Sequence, residues 1–184
     1  PIDMVPPPKQ QMMSSRSFGR LVTDLPSLRQ AVSSYTARAA EKLRHQGSQT
    51  RALTVFLHTP LYQPQEPQYH PSATVRWAEP SDDTLLLTKA AFRGLERIYR
   101  PGFRYQKAGV MLLNLESKDQ PQMSLFEELS PGTDKRTALL GVIDQVNREM
   151  GRDTLWIAAQ GLTLREKGDS WRMQRGTLSP AYTT

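Results

Sequence analysis

The sequence predicts an α+β fold: a four-stranded antiparallel sheet with two helices on one face, then a linker and a small α/β tail unit. Two kinds of pattern carry this prediction. Alternating apolar residues mark strands, and apolar residues at helical spacing mark helices. These segments follow one another as β-α-β-β-α-β over residues 15–115. In that order both helices cover the same face, so the other face of the sheet is expected to stay open.

The first strand and the first helix are predicted between residues 15 and 47. "SRSFGRLVTD", residues 15–24, has the β-branched and aromatic content of a strand, and Gly19 allows another backbone to come close. Asp24 can cap a helix that has Pro26 in its first turn, and Gly47 favours the helix end. The apolar residues at helical spacing between them are Leu28, Ala31, Val32, Tyr35, Ala39 and Leu43.

Two strands separated by a long loop are predicted next. "RALTVFLHT", residues 51–59, alternates an apolar set with a mixed set, which predicts a strand with two different faces. The first set is Leu53, Val55 and Leu57, and the second is Thr54, Phe56 and His58. Residues 60–71 are rich in Pro and Gln and are interpreted as an irregular loop, after which "SATVRWAEP", residues 72–80, predicts a second short strand.

The second helix and the last strand complete the unit. Asp82 or Asp83 can cap a helix that ends before Pro101. Its predicted buried face consists of Leu86, Ala90, Leu95 and Ile98, and "RYQKAGVMLLNL", residues 104–115, predicts a strand. The adjacent acidic pair could instead bind a metal ion, but its position directly before a helical run favours capping and interaction with the helix dipole.

Composition limits the function classes. With 184 residues and 38% hydrophobic content, two modest domains are expected. The net charge of +6 favours an acidic partner, most simply nucleic acid. Cysteine is absent, which excludes disulfides and thiolate-bound metals. No apolar run approaches the roughly twenty residues of a membrane span, so no membrane partner is expected. Residues 1–14, which begin "PIDMVPPPKQ", are interpreted as an extended linker cut from a longer chain.

No catalytic residue, metal site or cofactor is expected. The three histidines, His45, His58 and His70, lack Glu or Cys companions at metal-ligand spacing and are interpreted as structural. The sequence also lacks a glycine-rich phosphate loop and a nucleophile-base spacing.

A basic and polar set is predicted on or beside the strands, facing the open side of the sheet. Guanidinium groups and backbone N–H groups can hold phosphate oxygens without reading bases. The alternative is that the arginines protect sheet edges from aggregation. An RNA-recognition domain has the same element order, yet its RNP1 signature is missing, and Phe18 and Phe56 alone make a poor stacking platform. The predicted DNA-binding residues are Ser15, Arg16, Ser17, Gly19, Arg20, Thr74, Arg76, Arg104 and Lys107, with Ser72 beside them.

Four stretches carry a family resemblance. They are "SRSFGRLVTDLPSLRQAVSSYTARAAEKLR", "RYQKAGVML", "QMSLF" and the terminal "WRMQRGTLSPAYTT". In this order they resemble the C-terminal part of the catalytic subunit of DNA polymerase V, the UmuC type of Y-family translesion polymerase. The resemblance implies that residues 15–116 are a little finger domain, which lays its sheet along template-primer duplex and grips phosphates. It also implies that the catalytic palm carboxylates lie upstream and that the protein works in the bacterial cytoplasm, at the nucleoid.

The linker over residues 117–132 contains Gln122-Met123-Ser124-Leu125-Phe126. This pentapeptide is similar to the clamp-binding motif of bacterial polymerases, in which a glutamine anchors the backbone and a leucine and a phenylalanine fill an apolar pocket on the sliding clamp. Met and Ser at its second and third positions depart from the family pattern. The alternative is that these residues start a core helix of the following segment.

Residues 133–184 predict the small tail. A helix ending near Gly151 is followed by "TLWIAAQGL", residues 154–162, which predicts a strand. The helix is predicted from Leu139, Leu140, Val142, Ile143 and Val146, and Trp171, Met173 and Leu178 follow the strand. The tail resembles that of UmuC-type subunits, which implies contacts with the recombinase filament or the polymerase V accessory subunit. Relatives run on past Thr184, so part of the tail is expected to be missing. The alternative for the whole chain is a free-standing nucleic-acid-binding module.

Overall fold

A computed structural model describes residues 9–63, 65, 67–118, 133–161 and 171. Its first six elements follow the predicted order, which confirms the β-α-β-β-α-β unit. They are β1 (Met12–Val22), α1 (Leu25–His45), β2 (Ser48–His58), β3 (Ser72–Ser81), α2 (Thr84–Ile98) and β4 (Tyr105–Ser117). A third helix, α3 (Thr133–Glu149), and a 3₁₀ turn (Ala158–Gln160) belong to the tail. β1 thus begins inside the stretch predicted as an extended linker.

The sheet is antiparallel throughout and has the strand order β1-β4-β2-β3. β2 and β4 are therefore the central strands, with β1 and β3 at the edges. Leu53 pairs with Leu112 and Val55 with Val110, and all four side chains are fully buried. These central pairs fix the register because a slip by one residue would turn the apolar set away from the helices.

The helices α1 and α2 cover one face of the sheet. Their buried side chains, including Leu28, Val32 and Leu43 of α1 and Leu95 of α2, join the inward residues of β2 and β4 in one core. On α2 the buried leucine of the first turn is Leu87, whereas Leu86, predicted to be buried, is 37% exposed. Burying such a cluster supplies most of the stability of a domain of this size.

The helix ends are fixed by the residues that the sequence indicated. Asp24 accepts a hydrogen bond from the Ser27 amide at 2.8 Å, and Asp83 accepts one from the Leu85 amide at 2.8 Å. Gly47 ends α1 with a positive φ of 68°, a conformation that glycine adopts without strain. Asp82 is buried and forms an ion pair with Lys118, so Asp83 alone is the cap.

The described part of the tail consists of α3, irregular turns and the 3₁₀ turn, and the strand predicted from residue 154 onward is not observed over residues 154–161. Local hydrogen bonds explain the difference. The amide of Leu155 donates to the Asn147 side chain at 2.8 Å, and the Asn147 side chain donates back to the Leu155 carbonyl at 2.9 Å. Residue 155 is thereby held against the end of α3 instead of pairing in a sheet. Among the described residues, no helix is both long enough and apolar enough to cross a membrane.

Candidate nucleic-acid interface

The sheet has an open face that α1 and α2 do not cover. Directly paired residues of antiparallel strands point to the same face, and neighbours along one strand point to opposite faces. Because Leu53, Val55 and Leu57 are buried under the helices, Thr54 and its neighbours two residues away point the other way. With their partners, the open face includes Met13, Ser15, Ser17, Ala52, Thr54, Phe56, His58, Ser72, Thr74, Arg76, Lys107, Gly109, Met111 and Leu113.

Five of the nine predicted DNA-binding residues lie on this open face. Lys107 pairs with His58 on one side and with Ser17 on the other, so it lies near one end of the central strands. Arg76 pairs with Ala52 on the edge strand β3 and is exposed. The Thr74 hydroxyl contacts the Thr54 hydroxyl at 2.8 Å. Ser15, Ser17, Thr74, Arg76 and Lys107 therefore share one surface.

Arg16 does not belong to that surface. It pairs with Ala108, a fully buried residue on the helix side of β4. By the same register rule Arg16 points to the helix side at the edge of the sheet, where it is exposed. The prediction that Arg16 shares the open face with Ser15 and Ser17 is wrong, because a residue between two open-face residues of one strand must point away from them.

Gly19 and Arg20 lie in an irregular part of β1. The register shifts between the pairs that Ser17 and Val22 make with β4, so the backbone bulges there. The Gly19 amide, predicted to be available to a phosphate, instead donates to the carbonyl of Trp171 at 3.3 Å. Arg20 is exposed beside this bulge, and Arg104 is exposed just before β4 begins.

An aromatic row crosses the open face. A Cβ built on Gly109 would lie 2.3 Å from Cζ of Phe56 and 2.5 Å from Cβ of Ser15, so the Phe56 ring lies across β4 toward β1. The ring centroids of Phe56 and His58 are 5.2 Å apart, and those of His58 and His70 are 5.1 Å apart. The sequence interpretation missed this row, although the alternation that places Phe56 on the open face places His58 there too.

The row changes the electrostatics of His58. Burial, then the neighbouring His70 and Lys107, lower the pKa of His58 below its usual value of 6.5. Burial and nearby positive charge both disfavour a charged imidazole. At neutral pH the fixed charges of the open face are therefore those of Arg76 and Lys107, accompanied by the hydroxyls of Ser15, Ser17 and Thr74. Such a surface can hold phosphate oxygens without discriminating bases.

The other predicted site is not placed by the structure. The pentapeptide Gln122-Met123-Ser124-Leu125-Phe126 lies outside the described residues, so its role stays a prediction. Among the described residues there is no cluster of three or more histidine or acidic side chains that could hold a metal ion.

Comparisons with known proteins bear on the family. Residues 9–125 match the model of the impB/mucB/samB family C-terminal domain, and residues 137–184 match a domain of unknown function, DUF4113. Protein UmuC of Salmonella typhimurium strain LT2 is 42% identical over 178 residues, covering 97% of this chain and 41% of the relative. Protein SamB of Salmonella typhimurium is 39% identical over 183 residues, covering 100% and 42%. The chain thus spans less than half the length of these relatives.

Among solved structures, one similar chain is described as the little finger domain of PolIV in complex with the β-clamp processivity factor. It is 13% identical, the TM-score is 0.42, and the likeness covers 64% of this chain and 99% of the other. The family model and the two relatives confirm the resemblance to UmuC-type proteins, and the chain belongs to the impB/mucB/samB family.

Proposed function

We propose that this chain is the DNA-gripping and clamp-tethering C-terminal region of an error-prone Y-family translesion DNA polymerase that acts in SOS mutagenesis and lesion bypass. The family supports the polymerase context. The observation that supports this binding of DNA phosphates, called the grip below, is the open face itself. It is a sheet surface left uncovered by both helices, with Lys107 and Arg76 on different strands and hydroxyls between them.

In this proposal residues 15–116 act as the little finger, with the open face against the phosphates of template-primer duplex. Lys107 on a central strand and Arg76 on the edge strand β3 are far enough apart in strand order to contact different phosphates. Arg20 and Arg104 flank this surface as further contacts. Lys and Arg neutralise phosphates without reading sequence, so the grip tolerates any template.

The remaining parts of the proposal concern partners. Residues 122–126 bind the sliding clamp, and residues 133–184 contact the recombinase filament or the polymerase V accessory subunit. The chain itself performs no nucleotidyl transfer and needs no cofactor, because in this family's architecture metal-binding carboxylates of a palm domain do that chemistry. The parent protein works in the bacterial cytoplasm, at the nucleoid.

The salt dependence of duplex binding tests the grip. If about four phosphates are neutralised, log affinity should fall against log salt with a slope of about −3 to −4 and with little sequence preference. Replacing Arg76 and Lys107 together by Ala should make the slope shallower by nearly two. Fluorescence anisotropy with duplexes of several sequences measures both quantities.

Two matched variants control this experiment. Lys89→Ala plus Arg93→Ala removes the same charge from exposed positions of α2, on the helix side, and should leave the slope nearly unchanged. Arg16→Ala, at the helix-side edge, should change it less than Arg76→Ala. The grip would be contradicted by a slope near zero or by strong discrimination among duplex sequences. It would also be contradicted if the double variant at Lys89 and Arg93 changed the slope as much as the double variant at Arg76 and Lys107.

A further inference from the structure

One corner of the open face brings together two histidines, a lysine and a serine. His58 is the last residue of β2, and its cross-strand partner Lys107 is in turn paired with Ser17 of β1. The edge-to-face ring contact with His70 adds a residue from the loop between β2 and β3. His70 is exposed, and its Nε2 lies 3.0 Å from Oε1 of Gln68, so its ring is oriented by a neighbour.

The corner collects positive charge without a described counter-charge. The groups that act on His58 are Lys107 from β4 and His70 from the loop, and both are cationic when protonated. The facing positions contribute hydroxyls: Ser17 on β1, and Ser72 opposite Phe56 on β3. Among the described residues, no carboxylate is found to act on His58. A bound phosphate would be attracted to both of these positively charged groups.

We propose that His58 and His70, together with Lys107 and Ser17, form a phosphodiester subsite whose occupation by duplex DNA takes up a proton. The subsite rests on the proposed DNA grip and extends it to residues that composition and spacing did not indicate. A protonated imidazole offers two N–H donors, an ammonium offers three, and the serine hydroxyl adds another, which suits the non-bridging oxygens of one phosphate.

The direction of the pH effect follows from the charges. Without DNA, burial and the neighbouring cations keep the pKa of His58 below 6.5, so the ring is mostly neutral at neutral pH. A phosphate beside the ring favours the protonated form and raises the pKa in the complex. Between these two pKa values binding takes up a proton, so affinity should rise as pH falls through that window, by at most about tenfold per pH unit for one proton.

Duplex binding at constant salt, measured at about pH 6 and about pH 8, tests the subsite. The wild-type chain should bind several-fold more tightly at the lower pH. His58→Gln should remove most of this difference, and His70→Gln should remove part of it. His45→Gln is the matched control because His45 is exposed at the end of α1, on the helix side, and should keep the full difference.

A measurement on the wild-type imidazole tests the subsite without any variant, so a variant that fails to fold cannot affect the result. The imidazole resonances of the wild-type chain, followed by NMR during pH titration, should show an upward shift of the His58 pKa when duplex is added. An unchanged pKa, or an equal shift with orthophosphate alone at the same ionic strength, would overturn the assignment to DNA.

The subsite and the grip can fail separately. Wild-type binding that keeps its salt slope but does not change between the two pH values overturns the subsite and leaves the grip in place. An equal loss of pH dependence in His45→Gln also overturns the subsite. Absence of duplex binding at every pH overturns both.

Discussion

At the scale of single residues, Gly109 determines how the open face is arranged. The Phe56 ring occupies the space in which any side chain at position 109 would stand. Only glycine lets the ring cross the central strand and reach Ser15 on the edge strand. The ring therefore shields the backbone between β2 and β1, and it lies beside His58.

Gly109→Ala should lower the free energy of unfolding by about 1–3 kcal/mol, since its Cβ would overlap Phe56 and Ser15. Removing the Phe56 ring should remove part of the overlap. The loss of unfolding free energy caused by Gly109→Ala should therefore be smaller in a Phe56→Ala background. Urea denaturation of the four proteins of this cycle measures the coupling. Gly141→Ala is the control, because its added Cβ on α3 meets nothing within 4 Å. Purely additive effects at positions 56 and 109 would contradict the overlap.

The predictability of the site also differs from residue to residue. Alternation along β2 was enough to place Phe56 and His58 on the face opposite Leu57, and the same counting excludes Arg16 from the face of Ser15. The engagement of the Gly19 amide could not be predicted, because its partner Trp171 lies far along the chain and no local pattern encodes that contact. Local periodicity predicts which face of the sheet a side chain occupies, whereas long-range contacts determine whether a group on that face is available to bind a phosphate.

At the scale of elements, Arg44 joins three helices. Its Nε and Nη2 donate to both carboxylate oxygens of Asp144 on α3 at 2.6 and 2.8 Å. Its Nη1 donates to the Asp82 carbonyl at 2.9 Å and to the Thr84 hydroxyl at 2.7 Å, at the start of α2. The side chains of the ion pair are only 12% and 16% exposed. Elements with local signals, such as the caps of α1 and α2, were predictable, but this junction was not, since its members are distant in sequence.

Arg44→Met should lower the free energy of unfolding by about 3 kcal/mol. It removes the guanidinium that donates to the largely buried Asp144 carboxylate and to the acceptors at the start of α2. Glu96→Gln is the matched control. It breaks the exposed pair of Arg29 and Glu96, whose side chains are 44% and 47% exposed, and should cost less than about 1 kcal/mol. Urea denaturation compares the two variants, and equal losses would show that the junction contributes no more than a surface pair.

At the scale of the whole molecule, the described part of the tail is attached to the helix side of the sheet. α3 is held by Arg44, and Trp171 is buried beside Tyr35 of α1, with ring centroids 6.0 Å apart. Both contacts lie on α1, whereas the basic residues Lys107 and Arg76 lie on the opposite surface. In the proposed function, duplex on the open face therefore leaves the exposed residues of α3 accessible to a protein partner.

The described residues on either side of residues 119–132, which include the proposed clamp-binding pentapeptide, are held by the fold. On one side the Lys118 amide donates to the Gly47 carbonyl at 2.9 Å, and the Lys118 ammonium pairs with Asp82. On the other side α3 begins at Thr133 and is anchored through Asp144. Because these contacts hold the residues on both sides, we expect stability and clamp binding to respond separately to changes in the pentapeptide.

Leu125→Ala plus Phe126→Ala should remove most clamp affinity, since losing two buried apolar anchors costs about 2–4 kcal/mol, a weakening of roughly thirty- to several-hundred-fold. Gln122→Ala should cost about 1–2 kcal/mol, as one amide loses its partners. Thermal unfolding should change by no more than about a degree or two, as for surface substitutions. Leu129→Ala, just outside the motif, is the matched control for calorimetry with the purified clamp and should bind like the wild type. A sharp fall in melting temperature for Phe126→Ala with unchanged clamp binding would show instead that the pentapeptide is part of a core.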